Sequence, residues 1–391
     1  MIYIEILLIE SIDWRYSMKQ AFILYKRYLT SDGENFTVGG IQTYISNLSQ
    51  LLIKQGYKVY IYQFSSKPFF KKINNVYVVG IDVSNKKKFK RKRKVLYIEC
   101  KKKMKNDDLL IFACETMIVK NNAPKSIAIQ HGVSWDLKKH QNFNSTFNRL
   151  YLFIKAIRAY ILIKRINKVK NVVCVDHNFV NWYRSHVAYQ DLKLRVIPNF
   201  TKLLEKEKLC FDRDNTNVKI IFARRFVKKR GTRLFASAIK PILNKYNNVF
   251  VTFAGEGPDR DWLIQQFRDY PQVNFIKYNH IDSLQIHSEY DIAVIPTIGS
   301  EGTSLSLLES MAAGCAVIAT NVGGMTNIIL DNFNGLLVDP NEIELREAIE
   351  KLIHDKNYRN KLSKNALLTV SEAFSSKLWE EKWEKFLKEI V

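Results

Sequence analysis

From Val218 onward, short runs of β-branched and other apolar residues alternate with helical stretches that begin at Gly or polar residues. This alternation is typical of a parallel sheet built from βα units. The predicted strands are Val218 to Ala223, Val249 to Ala254, Val273 to Ile276, Asp291 to Pro296 and Cys315 to Thr320. The pattern therefore predicts a doubly wound α/β domain, whose ligands lie at the carboxyl ends of the strands.

The first half of the chain repeats this pattern less regularly and predicts a second, similar domain. Its strands are expected at Ala21 to Tyr25, Lys58 to Tyr62, Leu109 to Phe112, Ser126 to Gln130 and Asn171 to Val175. The polar stretch from Ile197 through Asp214, which contains Pro198, is the predicted linker. With 391 residues and 47% hydrophobic composition, the chain can bury two ordinary cores, so disorder is not favoured.

Cysteine usage and hydropathy exclude several classes of protein. The five cysteines are odd in number, widely spaced and without a C-x-x-C pair, so neither a disulfide framework nor a zinc site is predicted. A reducing compartment fits this usage best. No apolar run approaches the roughly 20 residues that a membrane-spanning helix needs.

The strongest chemical signal begins at Pro296 and runs PTIGSEGTSLSLLESMAAGCAVIATNVGG. Its small residues Gly302, Thr303 and Ser304 follow Glu301 and precede a predicted helix beginning near Leu305. Backbone N–H groups at such a helix start form a site for a phosphate or diphosphate. Glu309, two turns further on, is placed to accept hydrogen bonds from a ribose. The alternative is an acid that favours the helix dipole together with a solvated Glu.

Several landmarks share their order with one enzyme family. They are Gly39-Gly40 before a helix, Gln130-His131-Gly132 after a strand, Val196-Ile197-Pro198-Asn199, Arg225 to Gly231, Gly255-Glu256-Gly257-Pro258, the Glu301-x7-Glu309 element, Met311-Ala312-Ala313-Gly314, Gly323-Gly324 and Asn334-Gly335. This set resembles glycosyltransferase family 4, retaining and metal-independent enzymes of the GT-B fold. The resemblance covers the chain from about Met18 to its C-terminus. It implies a cytoplasmic enzyme that moves a sugar from a nucleotide-diphosphate donor.

The resemblance also implies a domain organisation. Two doubly wound Rossmann-like domains are expected to face each other across a cleft, residues 18–200 binding the acceptor and residues 201–375 binding the nucleotide sugar. Residues 376–391, with Trp379 and Trp383 at helical spacing, are expected to form an amphipathic helix that docks back on the N-terminal domain. Residues 1–17 match no part of the pattern and are expected to be dispensable.

The family pattern assigns catalytic roles to four residues of this chain. Arg225 and Arg230 match the two cations that hold the donor diphosphate, and departure of a nucleoside diphosphate requires such charges. His131 matches the histidine near the reacting carbon, and Glu301 matches the acid beside the donor sugar. Arg230 replaces the usual Lys, and Arg224 stands where the family usually has Gly.

The donor-binding set contains the same two arginines together with residues of three loops. The pattern implies the following donor contacts: Gly39, Gly40, Arg225, Arg230, Gly255, Gly302, Thr303, Ser304, Leu305 and Glu309. Asn327 replaces a Glu that commonly follows Gly323-Gly324, so that Glu's role is not carried over. For Gly39-Gly40, an ordinary tight turn stays open as the alternative.

No metal or other cofactor is expected. Asp212-Arg213-Asp214 and Asp259-Arg260-Asp261 mimic a metal-binding acidic pair, but neither follows an apolar strand. The resemblance implies instead that the nucleoside diphosphate assists proton transfer from the acceptor. Two other classes stay open: a nucleotide-sugar epimerase or phosphorylase of similar fold, and, less favoured, a nucleic-acid-binding protein. No aromatic residues alternate with the basic run as base-stacking platforms would, so nucleic acid is not an expected partner.

Basic residues are concentrated in the first half, with 35 basic against 13 acidic residues in 1–200 and 26 against 25 in 201–391. Residues 86–105 are nearly all cationic, and a solvated loop or edge strand is the plain interpretation. Residues 150–168 combine apolar and basic side chains, as in an interfacial helix, although a core-packing helix is equally compatible. Together they indicate an anionic membrane surface as partner, which suits a glycan or lipid-linked acceptor of cell-surface polysaccharide or lipopolysaccharide synthesis.

Overall fold

The computed structural model describes residues 19–37, 39–132, 146–187, 193–205, 216–279, 282–299 and 301–390. Residues 1–17 and Asp212 to Asp214 therefore lie outside the described residues, so the predictions for them are not tested here. Contacts divide the chain into two compact units. The first comprises Met1–Ile129 with Leu162–Val172 and Val391, and the second comprises Gln130–Ile161 with Val173–Ile390.

An eight-stranded sheet has the order β3-β4-β2-β1-β5-β6-β7-β8. Its strands are β1 Gln20–Leu24, β2 Lys58–Ser65, β3 Phe69–Ile73, β4 Val76–Asp82, β5 Leu109–Phe112, β6 Ser126–Gln130, β7 Asn171–Cys174 and β8 Lys193–Val196. Strand β1 pairs in parallel with β2 and β5, so that Ile23 lies opposite Ile61 and Ile111. The β3–β4 pair is antiparallel. Buried apolar residues fill β1 and β5, as expected for strands covered on both faces.

The second sheet is parallel throughout its six strands and has the order β11-β10-β9-β12-β13-β14. Its strands are β9 Val218–Ala223, β10 Val249–Ala254, β11 Val273–Ile276, β12 Ile292–Ile295, β13 Ala316–Thr320 and β14 Leu336–Val338. Alternate residues of β9 enter opposite cores: Phe222 packs into one and Ile221 into the other. Helices therefore cover both faces of this sheet, as in a doubly wound domain.

Eleven α-helices lie within the described ranges. They are α1 Gly40–Lys54, α2 Phe89–Lys103, α3 Thr146–Ile166, α4 His177–Arg184, α5 Thr232–Lys245, α6 Arg260–Gln266, α7 Ser283–His287, α8 Leu305–Ala312, α9 Glu342–His354, α10 Lys356–Ala373 and α11 Ser376–Ile390. The predicted amphipathic helix is confirmed as α11, which buries Trp379 and Trp383. The Phe200 ring packs against Trp379 in a tilted arrangement, with ring centroids 4.3 Å apart. No helix in the described part of the chain is long and apolar enough to cross a membrane.

The prediction of a loop or edge strand for residues 86–105 is wrong, because most of this run forms α2. Arg93, Leu96, Tyr97 and Cys100 are buried at helical spacing, while the other cations of the helix are exposed or half-buried. The four buried side chains give the helix an inner face that the high charge of the sequence conceals. Residues 150–168 do lie largely in a helix, α3.

Candidate functional site

The order of the second sheet defines where a ligand can bind. The chain runs outward from β9 through β10 to β11 and then returns to β12, which lies beside β9. This reversal opens a crevice outside the carboxyl ends of β9 and β12. Arg224 directly follows β9, and Thr297 lies two residues after β12. The predicted Pro296 to Ser304 element therefore begins at the position where doubly wound domains bind ligands.

Glu301 lies in this crevice and is surrounded by hydrogen-bond donors. Arg224 Nη2 donates to Glu301 Oε2 over 2.9 Å, and Thr297 Oγ1 donates to the same oxygen over 3.2 Å. Arg230 Nη1 also contacts Glu301 Oε2. Arg224 Nη1 donates to Thr297 Oγ1 over 2.8 Å, which closes an Arg–Thr–Glu triangle. The carboxylate is thus held through one oxygen by two cations and a hydroxyl.

Burial makes these cations unusual. Burial lowers the pKa of Arg224 to about 10. Burial, together with the nearby Arg224 and Arg225, lowers the pKa of Arg230 to about 9. Both guanidinium groups remain charged at neutral pH, while Arg225 is exposed. The site therefore carries an excess of positive charge, which favours a multiply charged anion.

Two glycines bring the loop into close contact with its neighbours. A Cβ on Gly324 would lie 2.4 Å from the carbonyl carbon of Gly302, and Gly324 N donates to Glu301 O over 3.0 Å. Gly255 has φ +145°, and a Cβ there would lie 2.2 Å from Arg224 O. Gly255, a predicted donor contact, therefore also lets its loop pack closely against the backbone of Arg224.

Residues 302–304 lead directly into α8, which begins at Leu305, as predicted. The side chains of Thr303 and Ser304 are buried, and Thr303 Oγ1 donates to Val175 O. The first backbone N–H groups of a helix have no intrahelical acceptor. This loop can therefore hold an anion through its backbone N–H groups, with the Thr303 hydroxyl engaged elsewhere.

Glu309 lies one turn from the end of α8 and is held by a second hydroxyl. Ser283 Oγ donates to Glu309 Oε2 over 2.7 Å. Burial raises the pKa of Glu309 to about 7, against the lowering effects of Ser283 and Arg224. Behind Ser283, burial lowers the pKa of His287 to about 4, so this imidazole is neutral at pH 7. Glu309 can thus change protonation near neutral pH.

The structure brings most of the predicted site residues into the second unit. His131 follows β6, and a Cβ on the adjacent Gly132 would lie 2.7 Å from Gly302 N. Gly39 and Gly40 instead belong to the first unit, where Gly40 begins α1. Asn327, which stands where the family usually has Glu, accepts a hydrogen bond from His177 N over 2.9 Å.

The structure adds three residues to this site, of which the sequence had singled out only Arg224, without a role. Arg224 and Thr297 hold Glu301, and Ser283 holds Glu309. Thr297 lies within the Pro296 element and could have been found there, four residues before Glu301. Ser283 is separated from Glu309 by 26 residues, so only the folded chain brings them together. Within the described ranges, no group of three or more His, Cys, Asp or Glu residues is placed to hold a metal ion.

Two family models match consecutive parts of the chain. The model of the glycosyl transferases group 1 matches residues 205–368, which include Arg224, Glu301 and Glu309. The model of glycosyltransferase family 4 matches residues 38–203. The chain belongs to the group 1 glycosyltransferases. The family predicted from the sequence is thereby confirmed.

Known relatives and solved structures agree with this assignment. The glycosyltransferase is 30% identical over 186 residues to CapM, a capsular polysaccharide biosynthesis glycosyltransferase of Staphylococcus aureus, covering 45% of this chain and 48% of CapM. It spans less than half of the length of two of the curated relatives it matches, CapM among them.

Its fold matches that of sucrose-phosphate synthase from Thermosynechococcus elongatus, with a TM-score of 0.73, 16% identity and coverage of 95% and 99% of the two chains. It also matches Anabaena HepE, solved in complex with UDP and glucose, with a TM-score of 0.69, 14% identity and coverage of 95% and 100%. The predicted GT-B fold of two Rossmann-like domains is confirmed.

Proposed function

We propose that this glycosyltransferase moves a sugar from a nucleotide-diphosphate donor to a glycan or lipid-linked acceptor with retention of anomeric configuration, without a metal ion. One observation carries the proposal: Glu301, held by two arginines, lies beside the α8 helix start at the β9–β12 crevice. Fixed cations and helix N–H groups at one point suit a leaving diphosphate. The similarity to CapM supports a role in cell-surface polysaccharide synthesis, and lipopolysaccharide synthesis stays the alternative within this proposal.

Each group then has a distinct task in the reaction. The bond between the anomeric carbon and the diphosphate oxygen breaks, and its electron pair leaves with the diphosphate. Arg225, Arg230 and the N–H groups of Gly302 to Leu305 stabilise the charge that grows there. The acceptor hydroxyl attacks from the face that the diphosphate leaves, and its proton passes to the departing diphosphate oxygen. Glu309 accepts hydrogen bonds from the ribose, and His131 and Glu301 contact the sugar.

The test is consumption of UDP-, GDP-, ADP- and CMP-linked sugars with and without acceptor, after a thermal-shift screen of the same donors. A ligand at 100 times its dissociation constant stabilises the folded protein by about 2.7 kcal/mol. A glycosyltransferase consumes its donor only slowly when no acceptor is present, and it forms a glycoside when the acceptor is added. Conversion of a donor to its epimer, or a strict need for inorganic phosphate, would favour the epimerase or phosphorylase alternative.

We further propose that the enzyme works at the cytoplasmic face of an anionic membrane, which residues 86–105 and residues 150–168 each contact. Large apolar side chains of α3 are exposed, namely Leu150, Leu152, Phe153, Ile154, Ile157, Tyr160 and Ile161. At its C-terminal end, Arg165 and Lys168 lie close enough to Lys90 and Arg93 of α2 for mutual repulsion. Exposed apolar side chains and clustered cations both suit the interface of an anionic bilayer.

Sedimentation with phosphatidylcholine vesicles, with and without 30% phosphatidylglycerol, tests this second proposal. We expect binding to the anionic vesicles that weakens steeply with salt, because each basic residue near the surface contributes about 1 kcal/mol. Phe153→Ser should weaken binding, whereas Leu368→Ser, at a similarly exposed residue of α10, should not. Salt-independent binding of equal strength to neutral vesicles would count against the proposal.

A further inference from the structure

Arg224 is the feature of the site that the family pattern does not explain. The family usually has Gly at this position, whereas here a guanidinium is enclosed with its side chain only 5% exposed. It donates to Thr297 and Glu301, and Glu309 lies near enough to favour its charged form. A buried cation with two oriented hydrogen bonds is costly unless it is paired, so the pairing with Glu301 is what makes it tolerable.

Arg224 and Arg230 contact the same oxygen of Glu301 but differ in freedom to move. Arg230 lies on a single 3-10 turn, Lys228–Arg230, and its side chain is 32% exposed. Arg224 directly follows β9, with its N–H bonded to Ala254 O over 3.0 Å. Arg230 can therefore turn toward an arriving ligand, while Arg224 is fixed by the sheet.

A diphosphate competes with Glu301 for Arg230. The diphosphate carries at least two negative charges and several acceptor oxygens, and an arginine binds such a group in a bidentate manner. When Arg230 leaves, a carboxylate as buried as Glu301 would take up a proton if it had no other cation, because burial disfavours the charged form. Among the described residues, the charged or titratable groups around Glu301 include Arg224 and Arg230, then Glu309 and Tyr278 beyond Arg224, and Arg225 and Lys229 beyond Arg230.

We propose that Arg224 is a positioning residue that keeps Glu301 ionised and oriented toward the donor sugar when Arg230 turns to the donor diphosphate. This inference rests on the proposed function, because it takes the crevice to be the donor site. Arg224 keeps its ion pair with Glu301 when Arg230 binds the diphosphate. One arginine therefore does not have to bind both the carboxylate and the leaving group. Arg224, at the position where the family usually has Gly, thus provides the second cation that binds Glu301.

Proton uptake on nucleotide binding measures this directly and does not require activity. UDP, GDP and ADP are titrated by calorimetry at pH 7 in buffers of different ionisation enthalpy, and the tightest ligand is used for the variants. Arg224→Gln should take up about one proton more per nucleotide bound than the wild type, because Glu301 then lacks both of the arginines that contact it in the described structure. Arg224→Lys should restore the wild-type value, and Arg268→Gln, at an exposed arginine outside the site, should match it.

A second measurement is turnover at saturating donor between pH 6 and 9. Arg224→Gln should lose activity mainly at low pH and recover with rising pH, whereas a purely structural defect would lower activity equally at every pH. If Arg224→Gln does not fold by circular dichroism, Arg224→Met replaces it in both measurements. Equal proton uptake by wild type and the uncharged variant overturns the role of Arg224 and leaves the donor site standing. Failure of all three nucleotides to bind the wild type overturns the proposed function and this inference together.

Discussion

Replacing Glu309 with Gln removes a negative charge from the proposed ribose contact while keeping the size of the side chain. In the structure Glu309 Oε2 accepts from Ser283 Oγ at 2.7 Å, which leaves the other oxygen for the ligand. A hydrogen bond to a charged group contributes about 1.5–3 kcal/mol, against about 0.5–1.5 kcal/mol for a neutral pair. Over two ribose hydroxyls the difference is about 2 kcal/mol. The affinity for donor and for free nucleoside diphosphate should therefore fall together, by roughly 30-fold.

The pKa of Glu309 also determines whether donor affinity rises or falls with pH. Burial raises the pKa of Glu309 to about 7, so that its carboxylate is largely protonated at pH 6 and ionised at pH 8. Since the ribose hydroxyls bind the ionised form, wild-type affinity should rise with pH through about 7, by roughly tenfold between pH 6 and 8. The empty protein behaves in the opposite way, because the stability gained from the protonated Glu309 is lost as pH rises through 7. Glu309→Gln should remove both effects.

Calorimetric titration of UDP, GDP and ADP at pH 6, 7 and 8 measures this difference. Ionisation of the nucleotide phosphate is common to both proteins, so the comparison isolates Glu309. Glu372→Gln, at an exposed acid of α10, is the matched control and should bind like the wild type. An unchanged affinity for Glu309→Gln, with the same pH dependence as the wild type, would refute the ribose contact.

Four further substitutions test other parts of the structure. Arg225→Ala or Arg230→Ala should lower turnover by about 10²-fold with a smaller effect on donor affinity, since charge grows on the diphosphate in the transition state. Steady-state kinetics measures the turnover and calorimetry the donor affinity. Near-native turnover in both variants would contradict this prediction. Gly324→Ala should destabilise the protein, because its Cβ would lie 2.4 Å from the Gly302 backbone, and an unshifted thermal midpoint would argue against that packing. Trp383→Ala should lower the free energy of unfolding by about 3–5 kcal/mol, measured in urea, since its indole is fully buried in α11; a loss under 1 kcal/mol would mean that the helix packs loosely.

The strands around the site could be predicted because their sequences are almost uniformly apolar. β9, β10 and β11 begin and end at the predicted residues. β9 and β10 are mostly buried and apolar, as expected for interior strands of a parallel sheet, whereas the edge strand β11 is partly exposed but keeps three apolar residues of four. The antiparallel β3 was missed because Lys71 and Lys72 interrupt its apolar residues at the sheet edge. β14 was missed because it has only three residues.

The contacts of the site were predicted less well than its location. The spacing of Glu301 and Glu309 indicated where the loop and α8 lie, because a loop and the helix after it are formed by residues close together in sequence. The partners of these acids are distant in sequence: Arg224 is 77 residues from Glu301. Such pairs depend on which strand ends the sheet brings together, and the sequence of one chain does not specify the side-chain directions there. The inner face of α2 was missed for a related reason, because only packing distinguishes Arg93 from the solvated cations around it.

A crystal structure of the protein with a non-hydrolysable analogue of the donor selected by the thermal-shift screen tests the central claim most directly. We expect the diphosphate at the start of α8 within hydrogen-bond distance of Arg230, the ribose on Glu309, and Glu301 still bonded to Arg224. A nucleotide bound away from the β9–β12 crevice, with Glu301 and Glu309 free of contact with it, would contradict the account.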